Sequence, residues 1–254
     1  TINKISSKVK YIVNNVRNAM PSGKVHPIND GASVNTAKVF DGLIRSVDTR
    51  SSGKQARIHA FKQTVVGGLG SWRVLVVEGD AGKRDLRVDR IMDPTTVLID
   101  PAAKAMDFSD AEWAFLVSWV PKEEFEEQNP DVDAGSFAPE YKSWFSKDAV
   151  QVVEYWVRGK DGAFDQYLVL ADKVLSRVED YPGKLLPIMF LTGEETVVEQ
   201  DRSFQGVVRP VRDMQVLHNL TQSRMADWIA RSAQPQWLAE AEQVADYLEN
   251  WRTS

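Results

Sequence analysis

The 254 residues are 43% hydrophobic and include eight Trp, ten Phe and six Tyr, more apolar surface than a disordered chain carries and enough for a sizeable core. Cysteine is absent, which excludes disulfides and thiolate metal sites and suits a reducing compartment. The net charge of −5 argues against a dedicated DNA-gripping protein, which needs a basic surface to displace counterions from phosphate.

That net charge conceals an asymmetry. Residues 1–90 hold 16 Lys/Arg against 7 Asp/Glu, whereas residues 91–200 hold 9 against 22. Scattered charge of this kind mostly solvates a surface, but opposite halves can also meet across an interface. No apolar run reaches the roughly 20 residues of a membrane span, and no secretory signal stands at Thr1. A soluble, cytosolic chain is expected. It opens without a methionine, so it is expected to be a fragment.

The first third reads as helical. Ile2, Ile5, Val9, Ile12, Val16 and Met20 recur at helical spacing, and Pro21-Ser22-Gly23 ends the run. A short extended piece, Val25 to Ile28, leads to Asn29 and Asp30, either of which suits an N-cap. The next helix carries Val34, Ala37, Phe40, Leu43, Ile44 and Val47 on one face and breaks at Arg50-Ser51-Ser52-Gly53. A third, from about Lys54 to Val66, stops at Gly67-Gly68, where positive φ is free of a Cβ penalty.

The period then shortens to two. Strand-like runs are expected at Trp72 to Val77, Leu86 to Ile91, Thr96 to Ile99 and Ala111 to Val120. Pro121 is expected at the first position of a short acidic helix. Gln151 to Arg158 and Phe164 to Leu170 flank an Asp-Gly turn and read as a hairpin. Tyr181-Pro182-Gly183 marks a turn, with a further strand from Leu185 to Leu191. The last long element is a helix from about Val208 to Ala233, apolar along Met214, Leu217, Thr221, Met225 and Trp228 and again at Val216, Leu220 and Ile229. A helix apolar on more than one side belongs in a core or between neighbours. Gln234-Pro235 ends it, and an amphipathic piece through Ala241, Val244 and Leu248 closes the chain. The fold class expected is α+β: N-terminal helices, a mixed, mostly antiparallel β region, then one long C-terminal helix.

A search for chemistry finds little. The Gly-Lys pairs at Gly53-Lys54 and Gly82-Lys83 lack the residues of a phosphate-binding loop, and Gly67-Gly68-Leu69-Gly70 follows a helix where a nucleotide fingerprint follows a strand. His26, His59 and His218 are far apart and form no metal motif. Asp93, Asp100, Asp107 and Asp110 could in principle converge on divalent metal as a hydrolase or nuclease site. The plainer reading is turn chemistry, since Asp93-Pro94 and Asp100-Pro101 are turn dipeptides whose carboxylates bond their own backbone. Glu123, Glu124, Glu126 and Glu127 suit the N-terminus of a helix. No nucleophile elbow exists. Neither cofactor nor metal is expected, and the chain is expected not to be an enzyme.

Several stretches together resemble the portal proteins of short-tailed bacteriophages. Arg17-Asn18 and Val25-His26-Pro27 are similar to that family's opening helix and the segment after it, and Ala32 to Arg45 to its second helix. Ala60-Phe61 through Gly67-Gly68-Leu69-Gly70-Ser71-Trp72-Arg73-Val74 resembles its glycine-rich helix-to-strand join. Asp93-Pro94, Asp100-Pro101-Ala102-Ala103-Lys104, Asp107, Ser109-Asp110-Ala111 and Trp113 resemble its Asp-Pro segment. Gly206-Val207-Val208-Arg209, Arg212-Asp213-Met214-Gln215, Asn219 and Ser223 look like the start of its stem helix, and Pro235-Gln236-Trp237, Ala241 and Trp251 like the entry to its clip. Order and spacing carry the likeness. His218 and Leu220 depart from it, flanking Asn219 where aromatics are common.

The resemblance implies a structural subunit of a homo-oligomeric ring, of about twelve copies in the full-length protein. Such a ring is a head–tail connector at one capsid vertex of the virion, assembled in the host cytoplasm. It passes double-stranded DNA without sequence specificity during packaging and ejection. Terminase, capsid and scaffolding proteins and a tail adaptor are the implied partners, and no membrane is involved. Residues 1–206 would be wing-like, 207–233 a stem-like helix and 234–254 the start of a clip-like region, with the second stem helix beyond Ser254. Stem or channel contacts would then fall to Arg209, Arg212, Asp213, Gln215, Asn219, Ser223, Arg224 and Trp228, and the clip entry to Pro235, Trp237 and Trp251. Two alternatives stand beside it: the aspartate-based hydrolase, and a monomeric scaffold whose long helix docks a partner.

Overall fold

A computed structural model describes residues 2–28, 33–78, 83–132, 137, 139–199, 201–232 and 240. Its helices are α1 (Lys4–Asn18), α2 (Val34–Arg50), α3 (Gly53–Gly67), α4 (Lys122–Gln128) and α5 (Arg212–Ser232). The strands are β1 (Leu69–Glu78), β2 (Arg84–Arg90), β3 (Val97–Ile99), β4 (Trp113–Pro121), β5 (Ala149–Arg158), β6 (Phe164–Leu170), β7 (Lys173–Tyr181), β8 (Ile188–Thr192), β9 (Glu194–Val198) and β10 (Asp201–Gln205). Helices, antiparallel sheets and a terminal helix follow one another in the expected α+β order.

Local chemistry sets the helix ends. Ser33 caps α2, its side-chain oxygen accepting from the Asn35 N–H at 3.2 Å. The caps expected at Asn29 or Asp30 lie outside the described residues. Gly68, at φ +97°, closes α3 and donates its N–H to Thr64 O at 2.8 Å. At Gly70 the first strand passes so close to α3 that a Cβ would overlap the Ala60 carbonyl, which accounts for a glycine there.

Three sheets form among the described residues, in the orders β2-β1-β8, β3-β4-β5-β6-β7 and β10-β9. Every ladder is antiparallel, so the expected mixed character is corrected: short connections join most neighbouring strands, and β8 returns antiparallel beside β1 from far along the chain. The Asp-Gly hairpin forms in the expected place, with Arg158 opposite Phe164 and Gly159 N–H donating to Ala163 O at 2.7 Å. Strands β7, β9 and β10 were not predicted. Strand β4 begins at Trp113 and not Ala111, because the amides of Ala111 and Glu112 go to Phe108 O and the Asp100 carboxylate. Pro121 pairs with Ala149 as the last rung of β4 and caps α4, one residue before the helical position expected for it. A 3₁₀ turn over Arg209–Val211 precedes α5, which therefore starts later than Val208; Ala233 lies outside the described residues.

Residues Ser6–Pro210 form one compact unit, and Val211–Ser254 with Thr1–Ile5 another. The larger unit holds the core. Ile188 and Phe190 of β8 pack with Leu116 of β4, Trp156 of β5 and Phe164 of β6, so the two larger sheets share one apolar centre. Trp156 is fully buried and meets Tyr181 edge-on, ring centroids 4.8 Å apart. Tyr181 in turn accepts the Val76 N–H at 2.6 Å, joining the sheets by a hydrogen bond as well as by packing. A second cluster, Phe125 of α4 with Val150, Val152 and Leu170, lies at the start of β5. The other side of the five-stranded sheet carries a half-buried row in register, Phe115, Tyr155 and Tyr167, with the Arg177 guanidinium 5.0 Å from the Tyr167 centroid. Because Trp156 lies where both sheets meet, Trp156→Ala is expected to cost about 3–5 kcal/mol of stability. Urea unfolding of the two proteins checks this; an unchanged midpoint would show that the shared core does not hold the sheets together.

Candidate functional site

The aspartates that suggested a metal site are occupied by turns. Asp93 accepts from Thr95 N–H at 2.9 Å and from the Thr95 hydroxyl at 2.7 Å. Asp100 is buried and accepts from Ala102 and Glu112 N–H at 2.9 and 3.2 Å. Asp107 accepts from Ser109 N–H at 3.1 Å, and Asp110 from Lys104 and Ala105 N–H at 2.6 and 3.1 Å. Hydrogen bonds from the Thr95 side chain and amide hold Asp93 below the usual carboxylate range; those of Ser109 do the same for Asp107. The Lys104 N–H does so for Asp110. Each carboxylate thus closes its own turn, and no group of three His, Cys, Asp or Glu side chains among the described residues is disposed to hold a metal ion.

Arg202 of β10 completes the same loop from outside. Its guanidinium lies 4.9 Å from the ring centroids of both Phe108 and Phe204, donates to Ala103 O and Ala105 O at 3.1 Å each, and pairs with Glu195. Arg158 acts likewise from β5, donating to Ser109 O and Ala111 O at 2.8 and 2.9 Å. The β9–β10 hairpin is rooted on the end of α3: Gly193 N–H donates to Gly68 O at 2.7 Å and Val207 N–H to Val65 O at 2.9 Å. At Gly206 a Cβ would strike the Val65 and Val66 carbonyls, so the return strand fits there only as glycine. Sequence reasoning passed over Arg202 because the charged run Glu194 to Arg202 carries no strand-like alternation.

The smaller unit contains the residues singled out for stem contacts except Arg209, which belongs to the larger one. None of the 21 residues of α5 is buried. Met214, Leu217, Leu220, Met225, Ile229 and Trp228 are all exposed, Trp228 by 69%. Gln215 is the exception in role: its amide donates to Ile2 O at 2.7 Å and Asn219 Oδ1 at 3.1 Å and accepts from Lys4 N–H at 3.1 Å, tying down the start of the chain. Ser223 bonds back to Asn219 O, and Arg231 pairs with Asp227 at 3.3 Å. Arg209, Arg212, Asp213 and Arg224 have exposed side chains. Pro235, Trp237 and Trp251 lie outside the described residues.

A second apolar surface lies on the larger unit. Helix α2 buries only Ala37, and Phe40, Leu43 and Ile44 remain exposed beside Leu86 of β2. Together with Val74, Val88 and the Pro21-Ser22-Gly23 segment they enclose an open groove of about 580 Å³, with Arg45, Arg57 and Asp48 at its edge. Apolar surface of this extent on a folded chain marks a place where something docks.

The family model of the phage P22-like portal proteins matches residues 1–163 and 158–254, which is the whole chain. The chain belongs to the phage P22-like portal protein family. A portal protein of Acyrthosiphon pisum secondary endosymbiont phage 1 is 24% identical over 89% of this chain. The match covers 39% of that relative's length, so this portal chain spans well under half of it. Portal proteins are structural proteins of the phage capsid, and none of the described helices here is long and apolar enough to cross a membrane. Depressed carboxyl groups in the folded portal chain contribute stability above their unfolded values, near pH 4, that is lost as pH falls through the folded values. Asp110→Asn is therefore expected to be less stable than the parent at pH 7, with the gap narrowing below about pH 4. Urea midpoints between pH 7 and pH 3 test this, and a gap that does not change with pH would refute it.

Proposed function

We propose that this chain is part of a subunit of the portal ring at one vertex of a phage capsid, through which double-stranded DNA is packaged and later ejected. The supporting observation is α5, which leaves apolar side chains exposed on more than one side. An isolated helix gains nothing from such a surface, whereas a ring covers it with neighbouring copies. In this reading residues 1–206 serve as the wing, 207–233 as the first stem helix and 234–254 as the entry to the clip, where terminase and then a tail adaptor dock.

Met214, Leu217, Met225 and Trp228 would pack between stems. Arg209, Arg212 and Arg224, with Asp213, Asn219 and Ser223 between them, would face neighbouring carboxylates or the channel. DNA moving through the channel needs weak, sequence-independent contacts, and a chain of net charge −5 avoids the sticking that a basic wall would cause. The basic first 90 residues and the acidic stretch after them supply unlike patches for a head-to-tail contact, which charge complementarity would hold in register.

Native mass spectrometry with negative-stain imaging, applied to these 254 residues and to the longer parent chain, tests the reading. Rings are expected from the parent and smaller species from the shorter chain. Raising salt from about 0.05 to 1 M is expected to weaken assembly, because the Debye length shrinks to about 3 Å. A parent chain that stays monomeric at every concentration and salt would overturn the ring.

A further inference from the structure

The β9–β10 hairpin is built to reach another molecule. A two-stranded hairpin is marginal alone, and this one is secured only along its inner face and root, by Arg202, Phe204 and the α3 terminus. Its far end is uncovered. Val197 and Val198 are 61% and 62% exposed, and Glu199 stands in the turn at φ +50°. Val198 lies opposite Asp201, so the tip presents valines flanked by carboxylates. Residues 194–205 carry four acidic groups and one arginine, and that arginine is taken up by Glu195.

The groove between α2 and β2 has the complementary character. Its walls are Phe40, Leu43, Ile44, Val74, Leu86 and Val88. Along the β2 margin, residues 83–90 carry four basic groups against two acidic ones, and the two carboxylates are already paired, Asp85 with Arg50 and Asp89 with Arg87. Lys83, Arg84 and Arg90 make no ion pair with other described residues and are free to meet carboxylates from outside. The groove lies at the N-terminal end of α3, where Arg57 lines it, and the hairpin is rooted at the C-terminal end, near Gly67. Ten helical residues separate them, about 15 Å. Two unlike, complementary patches displaced along one helix fit a head-to-tail contact between copies, the kind that a ring repeats.

We propose that the hairpin tip, at Val197, Val198, Glu199 and Asp201, seats in the α2–β2 groove of an adjacent copy of the same chain, its valines against Phe40, Leu43 and Ile44 and its carboxylates toward Lys83, Arg84 and Arg90. This rests on the ring reading for its geometry and names a contact that the ring reading leaves open.

The absence of cysteine from these residues allows a direct test. Val198→Cys and Leu43→Cys alter exposed positions and leave the core intact. In the longer parent chain, the double variant is expected to give a ladder of disulfide-linked multimers on a denaturing gel after mild oxidation. An equimolar mixture of the two single variants is expected to stop at dimers, and each single variant alone to remain uncrosslinked. Val198→Glu is expected to lower ladder formation at least about tenfold when added at the partner-facing tip of a Leu43→Cys, Val197→Cys chain. Native mass spectrometry on the same samples separates the two readings: rings without a ladder would overturn the hairpin contact and leave the ring standing. Absence of both rings and ladder would overturn both, and a double variant that stops at disulfide-linked dimers would replace head-to-tail contact with two-fold pairing.

Discussion

Arg202 is the point where three parts of the larger unit are held in one arrangement. Its guanidinium lies between Phe108 of the Asp-Pro loop and Phe204 of its own strand, and its N–H groups reach the carbonyls of Ala103 and Ala105. The loop it grips, residues 100–112, contains no regular ladder. Its backbone groups are satisfied instead by side chains: Asp100 and Asp110 accept its amides, and Arg158 and Arg202 donate to its carbonyls. A loop that places Phe108 and Ala111 in the core cannot leave such groups unpaired, since each would carry a desolvation penalty of about 1–3 kcal/mol. The ion and ring contacts of one residue therefore fix the loop, the hairpin and the edge of the core together.

The remaining architecture divides into surface that is finished and surface that is not. Around Trp156, Tyr181 and Phe190 the two larger sheets close on each other and bury their side chains. On α2, on α5 and at the hairpin tip, large apolar residues stay in water. Several charged residues of the first third are paired internally, as in Arg50 with Asp85, Arg57 with Asp48 and Arg73 with Glu154. A surface pair such as Arg50 with Asp85 contributes little, about 0–1 kcal/mol, and orients elements more than it stabilises them. Lys83, Arg84 and Arg90 along β2, and Glu199 and Asp201 at the hairpin, make no ion pair among the described residues and are free to act between chains.

How much of this was legible beforehand depended on whether a residue's role is local. The helix before Gly67-Gly68, the Asp-Gly hairpin and the turn duty of Asp93 and Asp107 follow from short-range chemistry, and they were readable because the partners lie within a few residues. Strands β7, β9 and β10 were not. Lys173 to Tyr181 and Glu194 to Gln205 are mostly exposed and heavily charged, so neither shows the apolar alternation that half-burial imposes, and the turn near Glu199 lacks glycine. The functional residues divide the same way. The apolar positions of α2 and α5 could be identified by spacing, but spacing cannot say whether a face is covered.

Composition and order alone determined the α+β class, the helix-to-strand join at Gly67-Gly68 and the family, because these depend on periodicity, backbone sterics and the succession of motifs along the chain. Only the tertiary structure decided that Asp100 also takes the Glu112 N–H, that Asp110 reaches back to the Lys104 and Ala105 amides, that Arg202 locks a loop 97 residues away, and that α2 is left bare beside β2. Those outcomes turn on which distant atoms come within about 3 Å, and hydrogen bonds and ring contacts at that range are set by the packing of whole sheets, not by the residues on either side.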